Sequence, residues 1–177
     1  ALATGNTVVL KPAETTSLTA LLLAELIEEA EFPPGVVNIV TGEGKTGAAI
    51  VNHPDIKKIA FTGSTEVGKI ITKSVSNTQK KLTMELGGKS ANIVFADSAI
   101  DQAVEGVINS IYFNQGHVCC AGSRLFVEES IHKLFLKKLK KRMAQLRVGN
   151  PLDKNTDIGA INSKEQLQKI QELVTKG

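Results

Sequence analysis

An α/β fold built on parallel strands is expected for this chain, on three grounds. Three short apolar runs, Thr7 to Leu10, Val36 to Val40 and Ile56 to Phe61, alternate with segments whose apolar residues recur every three or four positions. After Gly87-Gly88 the same alternation of strand-like and helix-like segments starts again. With 177 residues, 42% of them hydrophobic and 22% charged, the chain can bury a substantial core. It has neither the composition of a disordered segment nor the long apolar stretch of a membrane span.

Each element follows from local pattern. Behind the first strand, a helix from about Ser17 to Ala30 is expected to turn Leu18, Leu21, Leu22 and Leu26 inward, opposite Glu25, Glu28 and Glu29. Phe32-Pro33-Pro34-Gly35 ends it. A second helix, about Lys45 to Val51, stops before His53-Pro54. The third starts at Gly63-Ser64-Thr65 and is expected to carry Val67, Ile70, Ile71 and Val75 inward. Right-handed crossovers would make the first three strands point the same way. The loops that follow them would then share the edge where open α/β sheets bind ligands.

Beyond the glycine pair, a strand from Ala91 to Phe95 precedes the cleanest helical repeat, Ile100, Ala103, Val104, Val107, Ile108 and Ile111. The polar run Phe113 to Ser123 leads into a strand near Arg124 to Val127 and an amphipathic helix from Ser130 to about Leu146. A capping box from Ser163 to Gln166 opens a last helix, expected to bury Leu167, Ile170 and Leu173. Two residues without Cβ form a flexible joint, so the domain boundary is placed there, dividing the chain into 1–88 and 89–177.

Charge excludes some partners. The formal net charge of +3 is mild, and Lys137, Lys138, Lys140, Lys141 and Arg142 read as the solvated face of the amphipathic helix. With one Tyr and no interleaved aromatics, a nucleic-acid surface is not expected. The two cysteines, Cys119 and Cys120, are neighbours and cannot easily meet disulfide geometry, which points to a reducing, cytoplasmic setting and free thiols. His53, His117 and His132 show no ligand spacing, so no metal site is expected. The opening Ala1-Leu2-Ala3-Thr4-Gly5-Asn6 has no basic or apolar leader pattern, and the sequence closes inside a helical pattern. It is therefore read as an interior piece of a longer protein.

Several residues could carry chemistry. Gly42-Glu43-Gly44-Lys45-Thr46 suggests a phosphate loop, but the full motif needs glycine where Ile39 stands, and a strand-to-helix turn is the simpler reading. The common dinucleotide fingerprint G-x-G-x-x-G is absent. At the next strand-to-helix junction, Phe61-Thr62-Gly63-Ser64-Thr65-Glu66-Val67-Gly68, backbone N–H groups and the Ser64 hydroxyl would suit a pyrophosphate; alternatively Ser64 or Thr65 simply caps the helix. Lys11 and Glu14, just past the first strand, are either solvated charges or contacts for a phosphate and ribose hydroxyls. Cys119 lies in a segment too polar for a core strand, so its thiol is expected to be presented, the alternative being the buried inert cysteine that is the commoner fate of the residue type. Glu85, between Leu82, Met84, Leu86 and two glycines, is either a salt-bridged strand end or a partly desolvated base.

Four segments taken together resemble the aldehyde dehydrogenase superfamily, in order and spacing, over essentially the whole chain: Lys11-Pro12-Ala13-Glu14, Phe61 to Gly68, Glu85-Leu86-Gly87-Gly88-Lys89, and Phe113-Asn114-Gln115-Gly116 ahead of Cys119. The resemblance implies a parallel Rossmann-like sheet, the C-terminal part of an NAD-binding domain, over 1–88, and the N-terminal part of an α/β catalytic domain over 89–177. It implies oxidation of a small-molecule aldehyde to an acid with NAD, NADP being possible, in a dimer or tetramer. Lys11 and Glu14 would hold the adenosine ribose, Glu14 disfavouring a 2′-phosphate. Gly63 and Ser64 would meet the pyrophosphate, and Leu86 would lie against the cofactor. Cys119 would be the nucleophile, through a thiohemiacetal and a thioester, and Glu85 the base for hydrolysis. Gly87 and Gly88 would leave the cofactor room to move, and Val118 and Cys120 would line the substrate channel. The alternatives are a non-catalytic scaffold or inactive fragment, and a reductive relative that passes the acyl group to phosphate or coenzyme A. Against the second stands Glu85. His117 departs from the family's usual Gln and Ala160 from a frequent Pro. The family's oxyanion-hole Asn and a later Glu that steadies the nicotinamide ribose match nothing in 1–177.

Overall fold

In the structure, a computed structural model that describes residues 1–177, the first two strands are the valine-rich β1 (Val8–Leu10) and β2 (Val37–Ile39), β1 following a short 3-10 turn at Leu2–Thr4. They pair in parallel, Val8 opposite Val37 and Leu10 opposite Ile39. Between them α1 (Ser17–Glu29) makes the crossover and packs on β2. Next come α2 (Gly44–Asn52), β3 (Lys58–Thr62), α3 (Thr65–Val75) and β4 (Lys81–Glu85). The fold is α/β with parallel strand pairs, but the strands do not group as the first three runs suggested. β3 pairs with β4, from Lys58 opposite Lys81 to Thr62 opposite Glu85, rather than with β2. Lys81-Leu82-Thr83-Met84-Glu85 alternates, with Leu82 and Met84 half-buried and the polar residues exposed, as a strand with one covered face must.

Val51, Ile59, Ile71 and Val75 form the core here, with Ile56, Phe61, Leu82 and Met84 packed against it. Two helix faces differ from expectation. On α3 the inward stripe is Gly68, Ile71 and Val75, whereas Val67 and Ile70 are exposed. Gly68 decides this: a Cβ there would stand 2.7 Å from Leu86 Cδ2, so the bare backbone of that turn is what Leu86 lies on. On α1 the half-buried residues are Ala20, Ala24 and Ile27, while Leu18, Leu21, Leu22 and Leu26 face outward, Leu18 being 84% exposed. A helix apolar nearly all round does not specify its own inward face, and the alanines allow the closer approach to a strand.

The second half begins at Gly87, and the chain divides into two compact units, Ala1–Leu86 and Gly87–Gly177. In the second, β5 (Ala91–Val94) and β6 (Arg124–Val127) pair in parallel, Ala91 opposite Arg124 and Val94 opposite Val127. α4 (Ile100–Tyr112) and α5 (Glu129–Met143) pack together over a core of Val94, Val104, Val107, Ile108, Phe135 and Leu139, with Phe135 wholly buried. Lys138 and Arg142 pair with Asp101 and Glu105 of α4, so part of the basic face is neutralised within the chain. α6 (Lys164–Lys176) starts where the capping box predicts, Ser163 Oγ accepting from the Gln166 N–H at 3.1 Å. Its expected buried stripe is not buried: Leu167 and Leu173 are exposed and Ile170 is half-covered. Amphipathic periodicity marks which side could be buried, not whether a surface is there to bury it. No helix is long and apolar enough to cross a membrane.

Candidate active site

The carboxyl ends of β1 and β2 are joined by one lysine. Lys11 Nζ donates to the carbonyls of Gly42 and Pro12, both at 2.8 Å, and to Glu14 Oε1 at 3.2 Å. All three ammonium protons are thereby used, and the loop after β1 is tied to the loop after β2. Glu14 is exposed. Its own backbone N–H, and then the Lys11 ammonium, hold its carboxyl below the usual carboxylate range. The pair is therefore an ion pair in the loop with Glu14 still exposed to solvent.

At the β3–α3 junction Ser64 is the N-cap, its Oγ accepting from the Val67 N–H at 3.2 Å. The Gly63 N–H donates to the Glu85 carbonyl at 3.0 Å, extending the β3–β4 ladder by one rung. The Thr65 and Glu66 N–H groups donate to no acceptor in the chain. Capping and anion binding therefore do not compete for the same donors: Ser64 satisfies one, and the first turn keeps others for an anion. Glu85 ends β4 with its side chain exposed and in no ion pair, so within this chain it is neither salt-bridged nor desolvated, unlike both sequence readings. Leu86, one residue on, rests half-buried on Gly68.

Within the second unit the chain leaves α4 through three successive left-handed residues, Asn114 (φ 50°), Gln115 (φ 54°) and Gly116 (φ 76°). The two that are not glycine cost about 1–2 kcal/mol each. The His117 N–H then donates to the Asn114 carbonyl at 3.0 Å, and the Ala121 N–H to the Val118 carbonyl at 3.0 Å. That second bond closes a turn with Cys119 and Cys120 at its two central positions, both exposed. Neither cysteine N–H donates to a carbonyl of the chain. A Cβ on Gly88 would stand 3.7 Å from the Cys119 carbonyl oxygen, so this glycine runs alongside the turn. The far end is held where the Gly122 N–H meets the Ser110 carbonyl at 3.1 Å and Asn92 Nδ2 meets Ser110 Oγ at 2.9 Å. Asn92 and Ser110 carry no signal in the sequence, and Gln115 stands out there only as part of the Phe113-Asn114-Gln115-Gly116 segment. The one available signal was Asn-Gln-Gly, since Asn and Gly are the residues that tolerate a left-handed backbone. No group of three or more His, Cys, Asp or Glu could hold a metal ion.

Comparison with known proteins identifies the family and the fold. The chain is 54% identical to retinal dehydrogenase 2 of Rattus norvegicus, over all of this chain and 35% of that protein. Betaine aldehyde dehydrogenase of Staphylococcus aureus, solved in complex with NAD+, superposes with a TM-score of 0.94 at 39% identity, over 98% of this chain and 35% of that one. An E. coli NADP-dependent enzyme superposes with a TM-score of 0.95 at 39% identity, over 98% of this chain and 36% of that one. The chain thus spans about a third of the length of these relatives. The model of the aldehyde dehydrogenase family matches residues 1–177, and the chain belongs to that family.

Proposed function

We propose that the protein takes part in NAD(P)-dependent oxidation of an aldehyde to a carboxylic acid, with Cys119 as nucleophile and Glu85 as hydrolytic base. One observation carries the reading: the Cys119 thiol is exposed at the centre of a tight turn whose own N–H is uncommitted. A thiolate there adds to the aldehyde carbon, and the negative charge moves to the carbonyl oxygen, which the Cys119 N–H can stabilise. The residues of the first unit fit a dinucleotide. Glu14 offers an ionised carboxylate for ribose hydroxyls, Lys11 fixes its position, and the Thr65 and Glu66 N–H groups beside Gly63 and Ser64 suit a pyrophosphate. When bound, such a cofactor supplies the acceptor for the hydride that leaves the Cys119 adduct and turns it into a thioester. Glu85, unpaired and exposed at the end of its strand, then takes a proton from the water that attacks the thioester, releasing the acid and restoring the thiol. An acyl transfer to phosphate or coenzyme A would not need this base. Leu86 offers an apolar side chain next to Glu85 for the cofactor's ring. Glu14 favours NAD over NADP, because a carboxylate repels a 2′-phosphate. The reading extends to a cytoplasmic homo-oligomer, a dimer or tetramer, in which adjacent thiols stay reduced.

Cys119→Ser in the full-length protein tests it. NAD reduction with propanal is expected to vanish while NAD still binds. Undiminished turnover would overturn the assignment, and loss of activity in Cys120→Ser alone would transfer the role to the neighbouring sulfur.

A further inference from the structure

A backbone held in an unfavourable conformation over three residues must be fixed by its surroundings, or it relaxes. Asn114, Gln115 and Gly116 are such a stretch, and they end three residues before Cys119. The bonds inside the turn are local and would not by themselves prevent relaxation. One side chain reaches beyond it: the amide orientation of half-buried Gln115 that satisfies all of its neighbours turns Oε1 toward Gly159, where it accepts from the N–H at 3.1 Å. In that orientation Nε2 donates to the Asn114 carbonyl at 3.1 Å and to Asn114 Oδ1 at 3.2 Å. Every polar atom of the Gln115 side chain is thus engaged, and the backbone that bears it is bound to a second segment.

That second segment is stiff. Arg147 meets Asp157 in a fork, Nε to Oδ2 at 3.0 Å and Nη2 to Oδ1 at 3.1 Å, and its backbone N–H adds a third bond to Oδ2 at 2.9 Å. The Asp157 and Ile158 N–H groups return to the Arg147 carbonyl at 2.9 and 3.1 Å, and the Gly149 N–H reaches the Ile158 carbonyl at 3.1 Å. Gly159 follows directly, and a Cβ on it would stand 3.1 Å from the end of the Gln115 side chain. Glycine at 159 therefore lets the amide come within bonding distance of a fixed N–H.

We propose that Gln115 is a positioning residue for Cys119: anchored on the Gly159 N–H, it holds the left-handed turn that sets the direction in which the thiol is presented. The proposal rests on the reading of Cys119 as nucleophile for its catalytic consequence, but not for its effect on the thiol's reactivity. The segment 147–159, which carries no chemistry of its own, becomes the support of the nucleophile turn.

The test uses the full-length protein with Gln115→Met, which keeps the length of the side chain and removes its hydrogen bonds, and Gly159→Ala, which crowds the same link. Alkylation of Cys119 by iodoacetamide, located by peptide mass spectrometry, and kcat with propanal are each expected to fall about tenfold, since small misplacements of a reacting group are costly. KM for NAD and the melting midpoint should stay near the parent values, which a general loss of structure would not leave alone. In the double variant the two effects should not multiply, because both cut one link. Parent-like alkylation in Gln115→Met, or effects that multiply, would overturn the proposal. If Cys119→Ser still oxidises propanal, the nucleophile reading fails by itself, and the alkylation rates still decide whether Gln115 positions the thiol.

Discussion

Gly106 and Gly116 look alike in composition, yet they should respond to alanine with opposite signs. Gly106 lies on the exposed side of α4 with open space where its Cβ would go. Alanine there relieves the helix of a poor former and should stabilise by about 0.8–1 kcal/mol. Gly116 has φ of +76°, and its Cβ would stand 3.0 Å from the Ile111 carbonyl oxygen, a backbone atom in the last turn of α4 that cannot swing aside. A left-handed alanine costs about 1–2 kcal/mol. The stiffer unfolded chain returns roughly 0.4–1 kcal/mol of it. The close carbonyl contact adds to the cost, so Gly116→Ala should destabilise by about 1–2 kcal/mol, the left-handed penalty remaining the dominant contribution. Urea unfolding of parent and variants, followed by circular dichroism, measures both with the slope as a check on comparability. Gly116→Ala should also slow Cys119 alkylation, and Gly106→Ala should leave it unchanged. Equal stabilities, or shifts in the same direction, would refute the left-handed geometry of the turn and with it the account of how the thiol is presented.

Two further outcomes follow from the ion pairs. The Arg147 guanidinium, and then the Arg147 backbone N–H, hold the Asp157 carboxyl down from the usual 3.8 to about 2. A lowered carboxyl stabilises the folded form above the ordinary value and loses that contribution as pH falls through the folded one. A carboxyl carbon NMR titration should therefore place the Asp157 midpoint near 2, and an ordinary midpoint would show that the fork does not persist in solution. Glu14→Ser frees Lys11 from its 3.2 Å partner and removes the charge that would repel a 2′-phosphate. The ratio of kcat/KM for NADP to that for NAD should rise, and an unchanged ratio would separate this pair from cofactor choice.

Much of this was legible from local pattern. The capping serines illustrate it: Ser64 and Ser163 both accept from the N–H three residues on, as their position before an apolar repeat suggests. The polar run before Cys119 was legible as a loop, and the thiol is exposed. What it takes to hold that loop was not legible, because Gln115 and Gly159 are far apart in the chain and meet only in the fold. The alternation over Lys81 to Glu85 was open to view but overshadowed by the stronger apolar runs, and its pairing with β3 depends on which strands come to lie side by side.

Local pattern is enough for the α/β class, the type and approximate ends of the helices and the order of the motifs, since caps, turns and periodicity act over a few residues. Only packing settles that Ala20 and Ala24 rather than the leucines are the covered side of α1, that Gly68 receives Leu86, and that the Gln115 amide meets Gly159. A helix carries several apolar faces and an amide several possible partners. Which one is used depends on the shape of the surface that arrives from elsewhere in the chain, and no local pattern encodes that shape.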